Sequence, residues 1–203
     1  MFCGRGFVCG EHYAKVHLRV NDYYEKGKSV KGMWMGRACE RFGVVAGTEV
    51  NDAEFSALSN GFAPDGGQLC SRIYRKAKRS HETSEVIAAG RRSFYDLTLN
   101  APKSFSIMAV TVGDRRIRDW HDQAVRQTFE RIERMATRRI HESNGGESLK
   151  RTGSIACARY AHDANRALDP QLHDHLVVFN MTPDNDGRNY AVVSNEWFRS
   201  SSY

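Results

Sequence analysis

Residues 162–180 read HDANRALDPQLHDHLVVFN, and this stretch carries the most informative pattern in the chain. A polar loop with an Asp-Pro turn separates two runs of apolar residues, which predict strands at residues 154–162 and 172–181. The loop is of the length that folds one strand back along the other. A long antiparallel hairpin is therefore the first element that the sequence predicts.

Histidines mark both ends of this loop. Because residues two apart on a strand project to the same face, His173 and His175 should present their imidazoles side by side, and the turn should return His162 to the same place. Three converging neutral imidazoles form an open metal site. Solvated histidines in a polar hairpin are the alternative. Imidazole ligands alone favour zinc, although an open site at a phosphate takes whichever divalent ion the cell supplies.

The stretch FYDLTLN, residues 94–100, predicts a second polar row. On a strand, Asp96, Thr98 and Asn100 share one face, which is unusually polar for a buried surface. The Asp96 carboxylate could accept the outer N–H of a metal-bound histidine or take a proton from a nucleophile. An aspartate that faces solvent at the start of a strand is the alternative.

The remaining elements predict an α+β fold, an antiparallel sheet with flanking helices, because no βαβ rhythm is present. Hydrophobic spacing predicts a long helix from Asp114 to Glu142. A short helix should begin at Asn51 and Asp52, and a last strand should lie near Tyr190. Residues 104–112 fit a strand or a helix, residues 11–25 are equally ambiguous, and the glycine-rich residues 1–10 predict a loose, linker-like start.

Two further features suggest phosphate chemistry. Tyr23 and Tyr24 form a pair of phenols, which become nucleophiles only when a metal, a base or a cation activates them. Taken alone, such a pair is more often core packing. The basic run around Tyr74, which includes Arg72, Arg75 and Lys76, has the composition of a groove for single-stranded nucleic acid, although a solvated face is as good an explanation.

The composition sets the outer bounds. The chain has 203 residues, a formal net charge of +6 and 40% hydrophobic residues, which predicts one folded domain. The excess of Lys and Arg favours an anionic partner, nucleic acid above all. No apolar run is long enough for a membrane span, and the start has no secretory pattern. We expect a cytoplasmic protein without a membrane partner.

Together these motifs resemble the relaxase domain of the MobF (TrwC/TraI-like) conjugative relaxases, a branch of the HUH endonucleases. The similar stretches stand in the same order along nearly the whole chain: NDYYEKGKSVKGMWMGRACERFGV at 21–44, NGFAPDGG at 60–67, YDLTLNAPKSFSIMAV at 95–110, DQAV at 122–125 and HDANRALDPQLHDHLVVFN at 162–180. The resemblance implies a palm-like HUH relaxase fold in a bacterial, cytoplasmic protein that acts in plasmid mobilisation. It also implies that residues 1–203 are a single relaxase domain, truncated at its C-terminal end and without a helicase domain.

The resemblance further implies an activity. Such enzymes bind the single-stranded origin of transfer, nick it through a tyrosine and a divalent metal ion, and hold the 5′ end as a phosphotyrosine that can be rejoined. Magnesium or manganese is the expected ion, with zinc and nickel as alternatives. Relaxosome accessory proteins and the type IV secretion coupling protein are implied partners.

The resemblance assigns residues to these roles. It makes Tyr23 the nucleophile, with the neighbouring Tyr24 as the alternative, and Asp96 the acidic residue beside the metal. The implied metal ligands are His162, His173 and His175. The implied DNA contacts are Lys103 and Arg166. The chain departs from the family pattern in several places. It has one tyrosine pair, and residues 1–10 are rich in Gly and Cys where the family usually opens with a strand. Asp174 stands between the paired histidines instead of a hydrophobe, and Asn165 replaces a hydroxyl residue.

Three other functions remain open. A rolling-circle replication initiator shares the histidine and tyrosine chemistry, but such proteins usually place the tyrosine after the histidines. A truncated DNA-binding remnant would hold the origin without cutting it. A three-histidine metal oxygenase or hydrolase would make the charge and the tyrosine pair incidental.

Overall fold

A computed structural model of the chain describes residues 2–7, 30–70, 75–79, 86–89, 92–143, 145–165, 167–195 and 197. The strands in these residues are β1 Phe2–Phe7, β2 Met33–Met35, β3 Arg75–Arg79, β4 Val86–Ala89, β5 Phe94–Asn100, β6 Thr137–His141, β7 Glu147–Arg151, β8 Cys157–Ala164, β9 Pro170–Phe179, β10 Thr182–Pro183 and β11 Asn189–Tyr190. The α-helices in the same residues are α1 Asp52–Asn60, α2 Lys103–Val110 and α3 Arg115–Arg134.

A five-stranded sheet in the order β1-β5-β9-β8-β2 forms the centre of the fold. Every neighbouring pair in this sheet is antiparallel. Three two-stranded ribbons, β3-β4, β6-β7 and β10-β11, lie outside it. The prediction of an α+β fold with an antiparallel sheet and flanking helices is confirmed.

The first face of the sheet carries an aromatic core. Trp34, Phe94 and Phe179 are fully buried there, and Phe55 of α1 packs its ring edge-on against Phe179 with the ring centres 5.4 Å apart. Asn51 starts α1 as predicted, because its side-chain oxygen accepts a hydrogen bond from the Ala53 N–H at 2.7 Å. Helix α1 covers this face with Phe55 and Leu58.

The second face is covered by the long amphipathic helix α3. Its apolar stripe, which includes Val125 and Phe129, packs on Leu97 and Leu176 of the sheet. This stripe recurs every three to four residues, so that one side of the helix meets the strands and the charged side meets solvent. None of the helices in the described part of the chain combines the length and the apolar character needed to cross a bilayer.

The predicted helix from 114 to 142 starts correctly and ends too late. Asp114 caps α3 by accepting a hydrogen bond from the Arg116 N–H at 3.0 Å. The helix ends at Arg134, and residues 137–141 form strand β6 in a hairpin with β7. The β-branched residues Thr137 and Ile140 favour a strand. The glycines at 145–146 lie in the hairpin turn instead of stopping a helix.

The prediction of a loose start at residues 1–10 is wrong for residues 2–7. They form β1, an edge strand that pairs with β5 from Phe2–Leu99 to Phe7–Phe94. The backbone of β5 supplies hydrogen-bond partners for β1. The pairing with β5 therefore overrides the low strand preference of a glycine-rich segment. Residues 11–25 lie outside the described residues.

The other predictions of elements hold with shifted boundaries. The two hairpin strands are Cys157–Ala164 and Pro170–Phe179. The first begins three residues later than predicted, and the second begins two residues earlier. The ambiguous segment 104–112 is mostly helix α2, and the last predicted strand is limited to Asn189–Tyr190. Part of the basic run forms β3.

Candidate metal centre and DNA-processing site

The three histidines meet at one end of the first sheet face. His162 and His173 are direct partners across β8 and β9, and His175 lies two residues further along β9. The ring centres are 5.0 Å apart for His162 and His173, and 5.4 Å apart for each of the other two pairs. The structure therefore brings together the residues that the H-x-H pattern nominated.

Asp96 of β5 lies beside this cluster. Its two carboxylate oxygens are 3.0 and 2.9 Å from Nδ1 of His175, and the residue is 4% exposed. A carboxylate accepts the hydrogen bond, so Nδ1 carries the proton and Nε2 is the nitrogen of His175 that can bind a ligand. Of the two roles considered for Asp96, the geometry favours orienting the imidazole over accepting a proton from a nucleophile.

His173 is oriented in a similar way by the backbone. Its Nδ1 donates a hydrogen bond to the carbonyl oxygen of Gln171 at 3.0 Å, since a carbonyl can only accept. Gln171 is in turn held by its side chain, which donates to Oδ1 of Asn100 at 3.3 Å. His173 therefore also has Nε2 available to a ligand.

Burial keeps two of these imidazoles neutral. Burial, followed by the neighbouring imidazoles of His173 and His175, lowers the pKa of His162 from 6.5 to about 4. Burial also lowers the pKa of His173. Neutral imidazole is the form that binds metal ions, so these rings are ready for a cation at neutral pH.

The cluster can be tested against the requirements of a divalent ion. Three imidazoles bound tetrahedrally to one ion at about 2.1 Å have ring centres about 5 Å apart, close to the observed spacing. As the side chains stand, no three or more His, Cys, Asp or Glu residues in the described part of the chain are arranged to hold an ion. Binding would therefore require the rings to turn. In donor chemistry and ring spacing, the three histidines fit a divalent ion.

The loop between the two histidine-bearing strands is organised by Asn165. Its side-chain oxygen accepts hydrogen bonds from the N–H groups of Ala167 and Asp169 at 2.9 and 3.0 Å. Leu168 has a positive φ of 62° and an exposed side chain, an uncommon conformation for a branched residue. The residue that departs from the family pattern thus replaces a hydroxyl by an amide that closes the loop.

Lys103 is the one predicted DNA contact whose side chain is described. It begins α2, is exposed, and donates a hydrogen bond from Nζ to the carbonyl oxygen of Pro170 at 3.1 Å. That contact joins the start of α2 to the start of β9, three residues from His173. The Lys103 side chain therefore lies beside the loop that joins the two histidine-bearing strands.

The other predicted site residues are placed in part or not at all. Arg75 lies in β3 opposite Ala89 of β4, and Lys76 follows it in the same strand. Tyr23, Tyr24, Arg72 and Arg166 lie outside the described residues.

Sequence reasoning missed a charged cluster on the second sheet face, directly behind the histidines. Asp174 is fully buried between His173 and His175, and its carboxylate is bound by Arg159 and His121. The one signal was Asp174 itself, a carboxylate where a hydrophobe is expected. Its partners are 15 and 53 residues away in the chain, so no local spacing announces them.

The comparisons with known proteins agree with one another. The family model described as TrwC relaxase matches residues 9–203. The multifunctional conjugation protein TraI of Escherichia coli (strain K12) is 36% identical over 165 residues, which are 81% of this chain and 8% of TraI. The chain thus spans under a tenth of this curated relative.

Solved structures of the conjugative relaxase TrwC match as well. A metal-bound complex with oriT DNA has a TM-score of 0.73 and 29% identity, over 100% of this chain and 65% of the TrwC chain in that structure. A copper-bound complex with oriT DNA has a TM-score of 0.77 and 29% identity over the same shares. A third complex holds a 27-mer DNA with the recognition hairpin and the cleavage site. It has a TM-score of 0.73 and 28% identity over 98% of this chain and 62% of the TrwC chain in that structure.

Proposed function

The chain belongs to the TrwC relaxase family, and from that premise we propose that it nicks and rejoins single-stranded DNA at an origin of transfer. One observation carries the proposal: His162, His173 and His175 converge at one end of the sheet, with Asp96 against His175. This arrangement is suited to binding a cation beside a scissile phosphate. The oriT DNA and the metal in the TrwC complexes support the same reading.

Tyr23 is the proposed nucleophile, and Tyr24 is its neighbour in the pair. The phenol oxygen of Tyr23 would attack the scissile phosphorus. The bond between that phosphorus and the 3′ oxygen of the preceding nucleotide then breaks as the bond to tyrosine forms. The phenol loses one proton and the departing 3′ oxygen gains one. Because the phosphodiester is exchanged for a phosphotyrosine, the reverse attack by the 3′-hydroxyl rejoins the strand without ATP.

The three histidines are the proposed metal ligands. A bound divalent ion supplies Lewis-acid polarisation of a non-bridging phosphate oxygen. His175 is held for this role by Asp96, and His173 by the Gln171 carbonyl. Magnesium and manganese are the proposed ions, with zinc and nickel as alternatives. The copper in one TrwC complex is consistent with an imidazole set that accepts several divalent ions.

Basic side chains are proposed to hold the DNA backbone. Lys103 is exposed next to the histidine hairpin, where its ammonium can reach a phosphate. Arg166 follows Asn165 in the hairpin loop, so it has the same proposed role. Arg72, Arg75 and Lys76 are proposed to follow the strand further from the cut. The net charge of +6 suits such a partner.

The setting of this reaction is also a proposal. A conjugative relaxase acts in the bacterial cytoplasm before DNA transfer. Relaxosome accessory proteins and the type IV secretion coupling protein would then be its partners.

A covalent-adduct assay tests the proposed function. The 203-residue chain is incubated with single-stranded oligonucleotides that tile candidate origin regions, with Mg²⁺ or Mn²⁺, and separated on a denaturing gel. We expect one oligonucleotide to yield a protein–DNA adduct, and we expect no adduct to form when EDTA is present from the start. Tyr23→Phe should abolish the adduct, and the matched variant Tyr24→Phe should retain it.

Each other outcome has a distinct meaning. An adduct that persists in Tyr23→Phe and is lost in Tyr24→Phe would transfer the nucleophile to Tyr24. Binding of the oligonucleotides without any adduct would contradict nicking and support the DNA-binding remnant. An adduct that forms with EDTA present from the start would contradict the metal requirement.

A further inference from the structure

The strands that carry the histidines also carry aspartates that point to the opposite sheet face. Asp163 directly follows His162 on β8, and Asp174 stands between His173 and His175 on β9. Neighbouring residues on a strand point to opposite faces of the sheet. These aspartates therefore lie on the second face, which α3 covers, and the histidines lie on the first face. Each ligand-bearing segment therefore has a carboxylate directly behind it.

Helix α3 and strand β8 supply a partner to each of these carboxylates. Asp174 is fully buried and accepts hydrogen bonds from Nε of Arg159 at 2.6 Å and from Nε2 of His121 at 2.7 Å. Asp163 accepts a hydrogen bond from Nη1 of Arg118 at 2.7 Å. His121 and Arg118 lie on one side of α3, three residues apart.

Further bonds extend both groups, which share helix α3 as their common element. Arg159 also pairs with Asp122 of α3, and Asp122 in turn accepts a bond from Nε of Arg126 at 2.7 Å. Arg118 donates from Nε to the carbonyl oxygen of Ala109 in α2 at 3.2 Å. The helix, both hairpin strands and α2 are thus joined by charged hydrogen bonds, which are stronger and more directional than apolar contacts.

We propose that this network, defined as Arg118, His121, Asp122, Arg126, Arg159, Asp163 and Asp174, positions the three histidines for metal binding. The inference rests on the proposed function, because it assumes that the histidines bind an ion. Apolar packing would tolerate small shifts of the hairpin against α3, whereas a shift that separates the buried Asp174–Arg159 pair leaves a charge unpaired in the interior. In this proposal the members of the network are positioning residues, which act on the histidines through the strands that carry them.

Cobalt binding measures positioning separately from nicking. Co²⁺ is titrated into the chain without DNA, and the visible absorption of the bound ion gives the dissociation constant. We expect Asp174→Asn to raise this constant about tenfold or more, as loss of supporting partners does at other metal sites. Asp174→Asn also removes one of the two carboxylate partners of Arg159, so the variant loses stability as well.

A matched control separates this effect from general destabilisation. Asp184 is buried in an ion-pair cluster with Arg138 and Lys150 on the β6-β7 ribbon, outside the proposed network. Asp184→Asn should lower the free energy of unfolding in urea without moving the Co²⁺ dissociation constant by more than about twofold. Equal dissociation constants in Asp174→Asn and the unchanged chain would overturn the proposal.

A milder variant keeps the test decisive if Asp174→Asn does not fold. The Arg118–Asp163 pair is partly exposed, so Arg118→Gln should remain folded. We expect Arg118→Gln to weaken Co²⁺ binding about threefold or more and Arg118→Lys to restore most of the loss. Arg134→Gln removes an exposed ion pair with Glu130 on the same helix and should change nothing.

The proposed function and this inference fail in different ways. No Co²⁺ binding by the unchanged chain would overturn the metal site, and the positioning role with it. Binding that is identical in the unchanged chain, Asp174→Asn and Arg118→Gln would overturn the positioning role alone.

Discussion

At the scale of single residues, one buried hydroxyl joins helix α2 to strand β9, which carries two of the proposed metal ligands. Ser106 of α2 is fully buried, donates from Oγ to the Pro102 carbonyl at 3.1 Å and accepts from the Leu172 N–H at 3.0 Å. The backbone of β9 next to His173 is therefore satisfied by a side chain from another element.

Ser106→Ala should lower the free energy of unfolding by about 1–3 kcal/mol, because the buried Leu172 N–H loses its acceptor. The better helix propensity of alanine offsets only about 0.5 kcal/mol of this loss. Urea denaturation gives the value. The matched control Ser104→Ala, exposed on the same helix, should stay within about 0.5 kcal/mol of the unchanged chain. Equal stability of the two variants would contradict the role of the hydroxyl.

Asp184 makes one part of the stability depend on pH. A hydrogen bond from Lys150, aided by Arg138, lowers the pKa of Asp184 from 3.8 to about 2. A carboxyl whose pKa is lower in the folded state stabilises the fold above its unfolded pKa, and this contribution is lost as the pH falls toward 2. The stability difference between the unchanged chain and Asp184→Asn should therefore shrink from pH 5 to pH 2.

Urea denaturation at each pH measures this difference, with Asp119→Asn as control. Asp119 is an exposed aspartate on α3, and its substitution should give a small difference that does not follow the same window. A constant difference for Asp184→Asn across the range would contradict the contribution of the ionised carboxylate.

At the scale of elements, the end of β2 depends on a glycine. Gly36 has a φ of +110°, and a Cβ there would lie 2.1 Å from the carbonyl oxygen of Ile155. The same carbonyl accepts a hydrogen bond from the Ala38 N–H at 3.2 Å. The chain can therefore leave the edge strand in this direction only without a side chain at position 36.

Gly36→Ala should lower the free energy of unfolding by about 3 kcal/mol or more, because backbone strain and a steric clash add together. Gly47→Ala is the matched control. Gly47 also has a positive φ, +85°, but nothing lies within 4 Å of the added Cβ, so about 1 kcal/mol is expected. Similar losses in thermal or urea unfolding would show that strain alone determines both.

The sequence predicted elements best where the local pattern and the tertiary contacts agree. Asn51 and Asp114 were recognised as helix starts because each cap satisfies neighbouring backbone N–H groups. The end of α3 was placed too late because the apolar residues after Arg134 fit helical spacing and also fit β6. Pairing of Thr137 with Arg151 decides between them, and that contact spans 14 residues.

At the scale of the whole molecule, some residues of the site follow from local sequence patterns and others depend on long-range contacts. Alternation along one strand predicts His173 and His175 and alternation along another predicts Asp96, while the length of the hairpin loop predicts His162; all of these patterns are local. The charges behind them could not be nominated, because Asp174 meets Arg159 and His121 only after the sheet has formed and α3 has packed on it. Long-range partners of a buried charge leave no spacing in a single sequence.

The excess of positive charge makes a last prediction for the whole molecule. If Lys and Arg side chains hold the phosphates, the logarithm of the affinity for single-stranded DNA should fall linearly with the logarithm of the salt concentration, by about 0.7 per phosphate contact. Lys103→Ala should reduce this slope by about 0.7, as measured by fluorescence anisotropy between 50 and 300 mM NaCl. Lys31→Ala is the control, because its ammonium is already paired with Glu49 at 2.8 Å, and should leave the slope unchanged. An affinity independent of salt would contradict phosphate contacts altogether, and equal slopes for Lys103→Ala and the unchanged chain would remove Lys103 from them.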